Sequence, residues 1–223
     1  RDNMALSLNY DTAGTTLQMK VLLLDSAGKK TYIDHPFFVS RPQQAIEDKQ
    51  GIVWMADFWI GLIKYANVDF ELIAPNGPYS ASVWDIDIQN DEVWIAPGGM
   101  QGAWGLTYNV DGFFSFADHY WNNYNLFNQP KLKDVFDIIA VTVDKNTGHV
   151  YLASHANGLI DFYQGQITIY DTSNSTLAWI DLDPGRLRVT DVAIDEQQNV
   201  WVANFFAPNP LSVKKPDGTW LSF

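Results

Sequence analysis

Apolar and polar positions alternate in short runs through most of the chain, and the runs come in pairs joined by polar turns. Four segments repeat the same order: Gln44 to Ala56, Val83 to Ala96, Ile139 to Ala153 and Val189 to Ala203. Each has an alternating strand, a polar turn and a second strand whose second position is aromatic, at Trp54, Trp94, Tyr151 and Trp201. A period-2 pattern places successive side chains on opposite faces of a sheet, so these are strands. The anchors lie 40, 57 and 50 residues apart, which matches one four-stranded propeller blade plus variable loops.

The pattern therefore predicts an all-β protein, a β-propeller with about four four-stranded blades over 42–79, 80–128, 129–176 and 177–223. Gly61-Leu62-Ile63 after the first anchor parallels Gly158-Leu159-Ile160 after the third. Both glycines fall where second strand turns into third, a place for positive φ. No helical periodicity competes, and 131–143 reads as a short approach followed by the first strand of the third blade. Residues 1–41 carry three β-prone pieces, Leu6 to Tyr10, Thr16 to Leu24 and Lys30 to Asp34, with a hairpin turn at Asp25 to Gly28. They are expected to be outer strands of a preceding blade or a separate β element. Propellers close with about four to eight blades, so the expectation is an incomplete ring, a part of a larger or double propeller. The opening Arg1-Asp2, without an initiator Met, fits a processed product or a piece of a longer chain.

Composition narrows the function. The 223 residues carry 14 Lys and Arg against 26 Asp and Glu, a net charge of −12, which opposes binding to nucleic acid or anionic lipid. No Cys is present, so disulfides, thiolate metal sites and a thiol nucleophile are excluded. No apolar run approaches the ~20 residues of a membrane helix.

Asp85 to Glu92 resembles a calcium loop in acid content, but Asn90 stands where Gly is required, and the alternation makes it a strand with its acids on one face. His35, His119, His149 and His155 have no ligand spacing, so no metal or cofactor is expected; His155, following an inner strand, is the one placed for a role. Serine-nucleophile motifs are absent, and the glycine-rich run Gly98 to Gly105 lacks a phosphate-loop ending, reading as a flexible insertion. The candidate ligand-binding residues are Trp104 and Tyr108 in that insertion with Trp121, Asn122, Asn123 and Tyr124 downstream. Aromatic faces stack on sugar rings and amides bond hydroxyls, against the alternative that these aromatics pack neighbouring blades.

The strand, polar turn and [Ile/Val]-Trp-x-Ala pattern resembles propeller repeats of the periplasmic sensors of hybrid two-component regulators over about 42–223. Phe70 to Pro78, and Val93 to Gly99 with Tyr108 to Phe113, are similar to PorZ-type propellers of the type IX secretion system. That resemblance implies a non-catalytic binding and assembly component of the surface attachment complex. It would work beside a sortase, other attachment-complex proteins and anionic lipopolysaccharide, secreted to the outer membrane surface. Two alternatives carry their own requirements: a periplasmic ligand-sensing propeller needs a kinase on the same polypeptide, and a lactonase or lyase needs a channel metal.

Overall fold

The computed structural model describes residues 4–12, 16–33, 42–58, 61–73, 75–180 and 183–223, and it divides into two compact units, Arg1–Pro75 and Asn76–Phe223. His35 lies outside the described residues, as do Asp34, Trp59, Ile60 and Ala74 within the segments compared above.

In the first unit, β1 (Met4–Thr12), β2 (Thr16–Leu24) and β3 (Lys30–Ile33) form an antiparallel meander. Its β2–β3 hairpin is closed by Asp25, whose Oδ1 accepts the N–H of Ala27 at 2.9 Å and of Lys29 at 2.8 Å. Beside it β4 (Pro42–Glu47), β5 (Val53–Asp57), β6 (Gly61–Ala66) and β7 (Asp69–Ile73) make a four-stranded antiparallel sheet in chain order. Val21 and Ile33 of the first sheet and Ala45, Val53, Met55 and Ile63 of the second bury their side chains in one core.

The second unit holds three more such sheets. One contains β8 (Asp85–Gln89), β9 (Glu92–Ala96), β12 (Phe113–Ala117) and β13 (Tyr120–Tyr124), with a small hairpin, β10 (Met100–Gln101) and β11 (Gly105–Leu106), inserted between β9 and β12. The next runs β14 (Ile138–Val143), β15 (Val150–Ser154), β16 (Gly158–Tyr163) and β17 (Gln166–Tyr170). The last runs β18 (Val189–Ile194), β19 (Val200–Asn204), β20 (Leu211–Lys214) and β21 (Trp220–Ser222). The four aromatic anchors fall on β5, β9, β15 and β19, the second strand of each sheet, as the repeat predicts.

First strands β8, β14 and β18 lie side by side, and two apolar cores fill the spaces between successive sheets. Trp94, Ala96 and Phe113 meet Val150, Leu152 and Phe162 in one. Tyr151, Ala153 and Leu159 meet Val189, Val192, Val200 and Val202 in the other. Strand β15 is accordingly buried at all five positions, because both of its faces lie against a sheet. The acids on β8 have a structural use: Asp85 Oδ2 accepts Val141 N–H at 2.9 Å and Asp87 Oδ2 accepts Val143 N–H at 2.7 Å. These are edge amides of β14 that no strand pairs. A register shift at the start of β4, β14 and β18 repeats from blade to blade, a bulge the residue pattern did not reveal.

The glycine-rich insertion departs from the flexible loop expected. Gly98 N–H donates to Ile138 O at 2.7 Å, and a Cβ there would lie 2.3 Å from that oxygen, so only glycine permits the approach.

Candidate functional site

In an antiparallel four-stranded blade, the loop between second and third strands and the link to the next blade emerge at the same end. At that end of the second unit gather 97–112, 155–157 and 205–210 with the links 125–137 and 171–188.

Asp137 organises the insertion from below. Its carboxylate, fully buried, accepts the backbone N–H groups of Thr107 at 2.9 Å, Tyr108 at 3.1 Å and Asn109 at 2.9 Å, together with the Thr107 hydroxyl. Its own N–H donates to Asn109 O at 2.9 Å, and its carbonyl accepts His155 N–H at 2.9 Å. The other side of the insertion is held through Trp104 O, which takes Arg188 Nη1 at 2.7 Å and His155 Nε2 at 3.0 Å. His155 donates from Nε2, and its buried Nδ1 has no hydrogen-bond partner among the described residues. Burial holds the His155 pKa below its ordinary 6.5, and nearby Arg188 acts in the same direction. The Trp104 carbonyl and Asp137 act against it.

Above this frame stand the aromatic rings. Trp104 packs on Phe205 with centroids 5.0 Å apart, and Phe205 on Phe206 at 4.2 Å. Tyr108 meets Phe136 edge-on at 5.9 Å, and the Arg186 guanidinium lies 5.9 Å from the first ring centroid and 5.8 Å from the second. Leu187 is buried between the last two blades, which turns its neighbours Arg186 and Arg188 toward the loops. Arg188 pairs with Asp183 at 3.0 Å. Among the described residues Arg186 has no acidic partner. Trp104, Tyr108 and Phe206 have φ of 61°, 58° and 54° and stay 51%, 58% and 69% exposed. Left-handed backbone under a bulky side chain costs about 1–3 kcal/mol per residue, and such strain concentrates at binding sites.

The six residues singled out in the sequence fall into two groups. Trp104 and Tyr108 belong to this rim. Trp121, Asn122, Asn123 and Tyr124 lie on β13, the outer strand, where they hold the blade together. Tyr124 stacks on Phe113 at 4.8 Å and Trp94 at 5.9 Å. Trp121 packs on Phe116, and its N–H and carbonyl are both taken by the Asn76 amide at 2.7 and 2.9 Å. Asn123 accepts Tyr79 N–H at 2.7 Å and donates to Gly77 O at 2.9 Å, while Asn122 faces Ser115 Oγ at 3.4 Å. The Asn76-Gly77-Pro78 turn is thus a clasp on β13.

The pattern missed Phe136, Asp137, Arg186, Arg188, Phe205 and Phe206. One signal was available: His155 and Phe205 occupy the same position of the repeat, four residues after the aromatic anchor and the first residue after the second strand. Elsewhere His149 Nδ1 lies 2.6 Å from Asp161 Oδ1 and its ring stacks on Tyr163 at 4.1 Å, lining a cavity of about 230 Å³ with Gln164, Gln166 and Thr168. Among the described residues no three His, Asp or Glu side chains gather as a metal site would require. No described helix is long and apolar enough to cross a membrane.

No family model matches the chain, and no curated protein matches it. Solved structures do. PorZ, described as an essential bacterial surface component of the type IX secretion system of Porphyromonas gingivalis, superimposes with a TM-score of 0.69 at 17% identity. The match covers 93% of this chain and 28% of that one, so the chain spans under a third of that protein's length. The extracellular domain of a hybrid two-component system from B. thetaiotaomicron has a TM-score of 0.38 at 12% identity, over 100% of this chain and 34% of that one. A streptogramin B lyase has 0.39 at 12%, over 99% and 87%. The first likeness, with the blade geometry above, makes the fold a β-propeller.

Proposed function

We propose that this chain is a non-catalytic binding and assembly component of a type IX secretion attachment complex, exposed at the bacterial surface beside a sortase. The observation that carries the reading is the superposition on PorZ along nearly the whole chain. The turn at Asn76-Gly77-Pro78, part of the resemblance in sequence, serves as a clasp on β13. Propellers lend one fold to many functions, so the site must supply the rest. Here it supplies rings and cations.

A second reading is engagement of anionic lipopolysaccharide, favoured by the exposed rings of Trp104 and Tyr108 beside Arg186. The Asn122 and Asn123 amides, engaged within their own blade, would not contribute.

Chemical cross-linking on intact cells of the source organism, followed by isolation of this chain, tests the assembly role. Recovery of a sortase-type cysteine protease and other surface secretion components is the expected result. Recovery of a histidine kinase on the same polypeptide would replace the reading with the sensor alternative.

A further inference from the structure

We infer that the rim formed by Trp104, Tyr108, Arg186 and Phe206 is a docking surface for an extended, acidic segment of a partner protein. The inference rests on the assembly role proposed above and gives it a site and a partner chemistry.

Three exposed aromatic side chains stand on left-handed backbone at one end of the second unit. Two of them flank a turn whose carbonyl is held by Arg188 and His155, and whose amides are held by buried Asp137. That frame keeps the rings extended before any partner arrives, which removes an ordering cost from binding. Trp, Tyr and Arg are the residue types that dominate interface energetics, above all where they cluster.

Charge selects the partner. The chain carries −12 overall, yet this rim presents Arg186 without an acidic partner among the described residues. A negatively charged segment is repelled by the molecule in general and attracted here, which orients its approach. A carboxylate would bond the Arg186 guanidinium from the side away from Tyr108 and Phe136, and neighbouring apolar side chains would cover Trp104 and Phe206. A saccharide would need amides or carboxylates converging on its hydroxyls. The amides expected for that task are committed to β13 and the 76–79 turn.

The test uses fluorescence anisotropy with a labelled octapeptide of alternating Glu and Leu, its Gln/Leu counterpart, and polygalacturonate as an acidic glycan. The Glu/Leu peptide binds, and the Gln/Leu peptide binds about tenfold more weakly. Arg186→Gln weakens the Glu/Leu peptide about tenfold and Phe206→Ala about thirtyfold, the loss typical of an interface hot spot. Both variants keep the parental melting temperature, since both side chains stand outside the buried cores. Absence of peptide binding, equal binding by both variants, or polygalacturonate binding that alone depends on Arg186 would each overturn the proposal, the last in favour of a glycan site. Cross-linked partners recovered unchanged with Arg186→Gln would retain the assembly role and reject this rim as its surface.

Discussion

Trp201 donates its indole N–H to Asp195 Oδ2 at 2.8 Å, joining the second strand of the last blade to the turn that precedes it. The same bond recurs between Trp54 and Asp48 at 3.0 Å. In each turn the other carboxylate oxygen accepts backbone N–H groups, from Gln197 and Asn199 in one and from Gln50 and Ile52 in the other. The Asn199 side-chain amide, with the Trp201 indole, holds Asp195 below the ordinary carboxylate range, and the Trp54 indole does the same for Asp48. Blade 3 has Tyr151, with no indole N–H, and its turn acid Asp144 bonds Thr147 and Asn146 instead. In the second blade the shorter turn leaves Trp94 to stack among Phe113, Tyr124 and Phe162.

Trp201→Phe keeps an aromatic ring at this position and removes the bond. Thermal unfolding of this variant should shift down by a few degrees; Asp195→Ala should shift further, since its carboxylate also holds the turn amides, and adding Trp201→Phe to it should cost little more. Full additivity of the two losses would separate the residues energetically.

Gly158 and Gly61 occupy the same place in the repeat, with φ of 92° and 94°, but different surroundings. A Cβ on Gly158 would lie 2.3 Å from Tyr170 O, whereas one on Gly61 meets nothing within 4 Å among the described residues. Gly61→Ala should cost about 1–2 kcal/mol, the left-handed backbone alone. Gly158→Ala should exceed that by at least about 2 kcal/mol in urea unfolding, because the sheet must also move. Equal costs would refute the steric part of the argument.

Asp137→Ala leaves the N–H groups of Thr107, Tyr108 and Asn109 without their acceptor. At roughly 1 kcal/mol for each of these part-buried hydrogen bonds, the variant should lose about 3 kcal/mol of stability. Hydrogen exchange should localise the effect, with protection lost at 107–109 while the amides of β15 stay protected. Unchanged protection at 107–109 would remove Asp137 from its role in holding the insertion.

His155 makes stability depend on pH in a calculable direction. Its folded pKa lies below the ordinary 6.5, so between those two values the unfolded chain binds more protons than the folded one. The contribution is complete above about pH 6.5 and is lost as pH falls from there through the folded pKa. His155→Gln, whose amide N–H can still reach Trp104 O, should flatten the melting-temperature profile below about pH 6.5. A variant profile parallel to the parent would assign the titration elsewhere.

Strand pairing and blade order were legible in the residues alone. A period of two, polar turns and an aromatic repeated at the second strand leave little choice of architecture, since register with one face buried is set by which residues are apolar. The regular positions of Trp54, Trp94, Tyr151 and Trp201 carried that reading through four sheets. The same pattern assigned the acids of β8 to one face, but not their task, because the amides of Val141 and Val143 that they bond lie 56 residues away.

The site was legible only in part. Trp104 and Tyr108 stood out as aromatics in a glycine-rich insertion, and His155 by its place in the repeat. Trp121 to Tyr124 looked equivalent in composition, and only the packed blade shows their rings and amides turned to its own cohesion. Arg186, Phe205 and Phe206 carried no motif, since their meeting with Trp104 and Tyr108 depends on three successive blades bringing their loops to one end. Local alternation determines a strand from its own neighbours in sequence. A rim assembled from separate blades is decided by the packing between sheets, which depends on the buried faces of all of them together.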